Sequence, residues 1–205
     1  MVLKLELGKA GGARSKLNLN LNKGTRFVVE LFWDSKEDLD AHALLATNVG
    51  NGAKIDDLRQ ILSTYNVRKN NPQGALLGNT DGSFETPEGA LHHSGDARTG
   101  VDRDVDEIIT IDGSKIPEGV NEIPIFVTIH EASESGLTFD QVTKAGIRIK
   151  DGAGKELAHY VLSGEFARFN AVQMGSLCLG EHGWEFAPIG AGFNGDFNTV
   201  LSNFS

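Results

Sequence analysis

"LNLNLNKGTRFVVELFW", residues 17–33, decides the fold. Its first six residues alternate leucine with asparagine, which puts every leucine on one face of an extended chain. A helix would need apolar residues three and four apart, and here they lie two apart. "NKG" at 22–24 breaks the run, and "RFVVELFW" at 26–33 resumes it with β-branched and aromatic residues. The stretch reads as strand, turn, strand.

The pattern repeats outward. "LKLEL" (3–7) precedes it, and "EIITI" (107–111), "IPIFVTIH" (123–130) and "AGIRIK" (145–150) follow. "ELAHYVL" (156–162), "AVQMGSLCL" (171–179) and "GWEFAPIG" (183–190) complete the series. Turn signals separate them, among them "DGS" at 112–114, "PEG" at 117–119, "DGAGK" at 151–155 and "EHG" at 181–183. The expected fold class is all-β: an antiparallel β-sandwich with short helices, in one domain covering residues 1–205. The best helix is C-terminal. "GDFNTVLSNF" (195–204) places Phe197, Val200, Leu201 and Phe204 on one helical face, with Asp196 as N-cap. "FDQVTKA" (139–145) suits one or two helical turns, "KIDDLRQIL" (54–62) suits helix or strand, and the polar segment 66–89 reads as a long surface loop.

Composition narrows the function. With 205 residues, 40% hydrophobic and 23% charged, the chain is long enough and apolar enough for a sizeable core. Its net charge of -9 argues against a nucleic-acid surface and fits cation binding or a basic partner. The lone Cys178 excludes an internal disulfide framework and a cysteine-rich zinc site, and its apolar surroundings suggest burial. No apolar run approaches the ~20 residues of a membrane helix, so direct membrane insertion is not expected. The start of the chain has no signal-peptide pattern, and cytoplasmic placement is the default expectation.

The negative charge is concentrated. "HHSGDARTGVDRDVDE" (92–107) holds Asp96, Asp102, Asp104, Asp106 and Glu107. In an extended segment Asp102, Asp104 and Asp106 project to one side, roughly 7 Å apart from one to the next. Gathered carboxylates repel unless a cation sits among them, and oxygen ligands without cysteine favour calcium or magnesium. Glycines 95 and 100 would let the loop fold back so that Asp96 reaches the same ion. The segment is not an EF-hand: counted from Asp102, the glycine position holds Glu107 and the final glutamate position holds Gly113. "WDSKEDLDAHALL" (33–45) is a second acidic group, with Asp34, Asp38 and Asp40. Two such loops would meet at one end of a sandwich. The plainer alternative is that both are solvated acidic loops.

These pieces, in this order, resemble the TerD family of bacterial stress and tellurite-resistance proteins. The family pattern has a WD followed by D-x-D-A-S, then H-x-G-D-N-x-T-G with an acidic tail, then I-H-E with a downstream F-x-x-V. The chain offers "WDSKEDLDAHALL", "HSGDARTG", "VTIHEASESGLTFDQV" and "ELAHYVL". The resemblance implies a β-sandwich that binds calcium through the acidic loops. It also implies association with tellurite, phage and colicin resistance, and partners among other proteins of a stress-response or membrane-associated complex. Asp34 matches the WD acid, Asp38 and Asp40 the D-x-D pair, Asp96 the H-x-G-D acid, and Asp106 and Glu107 the end of the tail. Glu131, in "TIHE", matches a ligand or a residue that orients one. The chain departs from the pattern at His42, where the family has serine, and at Ala97, where it has asparagine. Asp102 and Asp104 lie out of the usual register, and the segment 66–89 is longer.

His130 reads as a satisfied, partly buried histidine, and His92 and His93, facing opposite ways on a strand, read as structural. No nucleophile motif, P-loop or G-x-G-x-x-G after a strand is found. The expected function is a calcium-binding, non-enzymatic module of a stress-response system. The alternative is a metal-dependent phosphoester hydrolase, for which no general base and basic anchor share a motif.

Overall fold

A computed structural model describes residues 3–7, 16–101, 104–162 and 164–204, with the backbone alone at 3–7 and at Asn20. In chain order the strands are β1 Leu3–Leu7, β2 Leu17–Leu21, β3 Arg26–Phe32, β4 Leu39–Leu44, β5 Thr47–Asn48, β6 Ala53–Lys54, β7 Ile61–Leu62 and β8 Phe84–Glu85. They continue as β9 Leu91–His93, β10 Glu107–Asp112, β11 Glu122–Ile129, β12 Gly146–Asp151, β13 Glu156–Leu162, β14 Ala171–Gly180 and β15 Gly183–Phe193. One sheet runs β1-β13-β12-β3-β10-β9-β8 and a second runs β2-β15-β14-β11-β4-β7, while β5 and β6 form a small hairpin. The ladders are antiparallel except that of β1, which lies parallel to β13.

The two sheets share one apolar layer. Alternate residues of β10 and β3 point into it, among them Ile109, Ile111, Val29 and Leu31. Ile125, Val127 and Leu177 enter from the second sheet. This is the sandwich that the period-2 stretches predicted. Trp33, at the end of β3, is fully buried and donates its indole N–H to the Glu37 carbonyl at 2.9 Å. Gly100 lies so close that a Cβ there would stand 2.5 Å from the Trp33 ring. Gly100→Ala should therefore cost about 1–3 kcal/mol by overpacking, read as a lower urea midpoint with unchanged slope. An unchanged midpoint would mean that the acidic loop does not rest on Trp33.

The C-terminal helix is found, shorter than expected: α2 Phe197–Leu201 (α1 is the single turn Ala132–Ser135) runs into a 3₁₀ turn at Ser202–Phe204. Asp196 caps it, accepting from the Thr199 N–H at 2.9 Å. Phe197, Val200 and Phe204 cover Leu44, Ile61, Phe126 and Ala171 on the outer face of the second sheet. That cover explains a strand the sequence hid. β4 (LDAHAL) is buried at all six positions, so no polar face alternates with an apolar one. Residues 54–62 resolve into strand ends flanking a 3₁₀ turn, Leu58–Gln60. Segment 66–89 is less of a surface loop than its composition suggests: Val67, Leu76 and Phe84 are buried, and bridges join Val67 to Leu76 and Gly78 to Phe84. Cys178 is only part-buried on β14. Among the described residues no helix is long and apolar enough to cross a membrane.

Candidate metal centre

Three strand ends and one loop converge at one end of the sandwich. β4 begins beside the end of β11, with Asp40 opposite Thr128 and Leu39 opposite Ile129. β10 begins with Glu107, and the loop after β9 carries Asp96. The carboxylates of Asp40, Asp96 and Glu107 each offer an oxygen, and the three oxygens lie within 4.8 Å of one another. Two oxygens bound to one calcium stand at most about 5 Å apart, twice a bond of ~2.4 Å, so one ion can touch all three.

Glu107 is the most constrained of the three. It is fully buried. β7 is two residues long and pairs with β4 only at Ala43 and Leu44, so the Ala41 N–H has no strand partner there. Glu107 Oε2 takes it at 2.7 Å, and Oε1 accepts the Ala97 N–H at 3.2 Å. His93 Nε2 lies 3.3 Å from Oε2, while its Nδ1 accepts the Gly95 N–H at 3.0 Å. One side chain thus ties β10 to β4, to β9 and to the Asp96 loop. Burial raises its pKa, with His93 opposing.

Asp40 is also buried. Its Oδ1 accepts from Thr64 at 2.7 Å, and its Oδ2 accepts from the Tyr65 hydroxyl at 3.0 Å and lies 3.3 Å from His130 Nδ1. Burial pushes its pKa up, but these bonds outweigh burial and hold it below the usual carboxylate range. The same pair raises His130 to about 9. Burial and Asp40 push the Tyr65 hydroxyl up, so Tyr65 stays a donor. Asp38, half-buried, is raised to about 7 by burial and then by Asp40 and Asp96. Its Oδ1 is shielded from water and has no hydrogen-bond partner. The oxygens of Asp40, Asp96 and Glu107 could together hold a metal ion, and Asp38 lies near enough for their charges to raise its pKa.

The remaining candidates sit elsewhere or at the margin. Asp34 is exposed and paired with Lys144, Oδ2 to Nζ 2.6 Å. Asp104 is exposed and paired with Arg148 at 3.0 Å. Asp106 Oδ2 accepts the Trp33 N–H at 2.9 Å. Residues 104–106 are not a strand, so Asp104 and Asp106 take different partners instead of projecting together. Asp102 lies outside the described residues. Glu131 lies two residues past β11, at the start of α1 and in the left-handed region, φ 48°, with its exposed carboxylate 3.5 Å from His130 Nε2. His130 is satisfied and partly buried as expected, and His93 is buried where His92 is not. Thr64, Tyr65 and His42 were not singled out from the sequence. The first two lie between the stretch 54–62 and the segment 66–89, where no motif marks them, and His42 was visible only as a departure from the family serine.

A family model described as the TerD domain matches residues 3–204. General stress protein 16U of Bacillus subtilis is 28% identical over 198 residues, covering 93% of this chain and 91% of that protein. The tellurium resistance protein TerD of Serratia marcescens is 28% identical over 218 residues, covering 98% and 97%. The crystal structure of a homologue of telluride resistance protein (TerD) from Streptomyces coelicolor superposes with a TM-score of 0.62 at 21% identity, over 88% of this chain and 96% of that one.

Proposed function

The chain belongs to the TerD family, and from that premise we propose that it is a calcium-binding, non-enzymatic protein of a bacterial stress-response system. The observation that supports the ion is the meeting of the Asp40, Asp96 and Glu107 oxygens within 4.8 Å, with Asp38 near enough to feel all three charges. The relatives' names support the stress and tellurite setting. Asp40 and Glu107 would be the fixed ligands, because hydrogen bonds already orient both. Asp96 and Asp38 would close on the ion from two loops. Glu131 would lie at the edge of the site. Calcium suits the site better than magnesium, whose strict octahedron tolerates irregular carboxylate spacing poorly.

Binding that selects the folded state stabilises it by about 2.7 kcal/mol at a hundredfold excess over Kd. Calcium should therefore raise the melting temperature clearly above its value in chelator, and magnesium should do so much less. Asp40→Asn should abolish most of that rise. Equal melting temperatures in excess calcium and in chelator would overturn the reading.

A further inference from the structure

The acids do not fill their end of the sandwich. Two hollows of about 880 and 530 Å³ adjoin there and share Thr64, Asn70, Asp96 and Arg98. A cation and its waters need far less, at roughly 30 Å³ per water. The volumes match those of small-molecule sites, ~300–1,000 Å³. Their lining is not uniformly acidic. Arg98 stands on the shared wall, its side chain 84% exposed, with Asp96 3.6 Å from Nε. Lys69, also exposed, lines the smaller hollow with Asn70 and Asn79, and with Asp81 and Asp106, of which Asp81 accepts from Ser83 and Asp106 from the Trp33 N–H. A guanidinium carries five donors and an ammonium three, so Asp96 engages a small part of what this wall can give. Planar guanidinium and ammonium together form a donor set that recognises an oxyanion, while the Asn70 and Asn79 amides already donate to the Thr64 carbonyl and to Ser83 Oγ, each at 3.0 Å.

We propose that Arg98 and Lys69 hold the phosphate group of a second ligand beside the carboxylate cluster. The proposal rests on the cation reading, since bare carboxylates would repel a phosphate. It also follows from the ligand count: calcium takes six to eight oxygens. Four carboxylates that each bind through one oxygen leave at least two of those positions open, and Asp40 and Glu107 already accept hydrogen bonds from Thr64, Tyr65, Ala41 and Ala97. A phosphate oxygen suits the remainder. The phosphate has two sources, a free phosphomonoester or a lipid headgroup.

Calorimetric titration with glycerol 3-phosphate, in saturating calcium and in chelator, tests the soluble source. Co-sedimentation with phosphatidylcholine vesicles, with and without phosphatidic acid, tests the lipid source. At least one probe should bind in calcium and lose at least roughly tenfold in chelator. Arg98→Ala and Lys69→Ala should each weaken that probe by roughly tenfold, the size of one charge-assisted contact. Calcium alone should bind these variants as well as or better than wild type, because a nearby positive charge is gone. That opposite sign separates a phosphate-holding role from misfolding. If calcium binds but neither phosphate probe does, or binding ignores chelator or both substitutions, this inference falls and the cation reading stands. If calcium itself does not bind, both fall.

Discussion

Glu107→Ala lowers the stability of the protein by about 3–5 kcal/mol in chelator, the usual cost of removing one partner from a buried charged network. The substitution strands the Ala41 and Ala97 N–H groups, both of which Glu107 now serves, and removes the carboxylate 3.3 Å from His93 Nε2. Each buried donor left without an acceptor costs about 1–3 kcal/mol. Relief of repulsion from Asp40 offsets part of this, which is why the sum is not the full total. For a chain of this length the melting temperature should fall by on the order of 10 °C. Glu107→Gln keeps one carbonyl acceptor and should fall between the variant and wild type. Both should lose the calcium-dependent rise. Urea unfolding in chelator is the direct measurement. A loss below about 1 kcal/mol for Glu107→Ala would show that this carboxylate does not tie the strands together.

The second large effect depends on pH. His42 is fully buried, with Nε2 2.8 Å from Thr128 Oγ1 and its ring stacked 4.1 Å from that of Phe197. Burial holds its pKa down at about 4, with Asp40 pulling the other way. Its folded pKa thus lies below its unfolded value of about 6.5. The unfolded state binds the proton first, so the contribution is complete above pH 6.5 and is lost as pH falls toward 4. A gap of about 2.5 units is worth about 3 kcal/mol. His130, raised to about 9, behaves oppositely: its contribution is complete below its unfolded value and is lost as pH rises through 9. Asp38, raised to about 7, gains folded-state protons on acidification and partly masks His42 in the wild type. His42→Gln separates them. The variant should lose clearly less stability than wild type between pH 7 and pH 4.5, measured by urea unfolding in chelator. Parallel curves for the two proteins would refute the assignment.

The sequence showed those parts of the molecule whose signal is local. Period-2 strands such as β2, β3 and β10 face a core on one side, so alternation reveals them. β4 is covered on both sides by the first sheet and by α2, and its pattern vanishes. Asp40, Asp96 and Glu107 were all legible as candidates, because each lies in a short acid-rich stretch. Their ranking against Asp34 and Asp104 was not. Lys144 and Arg148, which neutralise those two, lie 110 and 44 residues away along the chain. The support for Asp40 likewise comes from Thr64 and Tyr65, 24 and 25 residues on, in a turn without clear periodicity. Charge alone marks where acids gather, and the register between sheets decides which of them converge.

The pairing of the earliest described strands bears on how the chain is made. β1 is matched to β13, Leu3 to Ala158, and β2 to β15, Leu21 to Trp184. On the ribosome, at about 5–20 residues per second, both wait on the order of ten seconds or more for their partners to be synthesised. Throughout that interval the alternating leucines of residues 17–21 are an unpaired, half-apolar strand, the kind of edge that other chains add to. Long-range closure of this sort folds slowly once it begins. Newborn chains should therefore need a holding chaperone, and yield in a cell under stress should follow chaperone supply before it follows the stability of the finished sandwich.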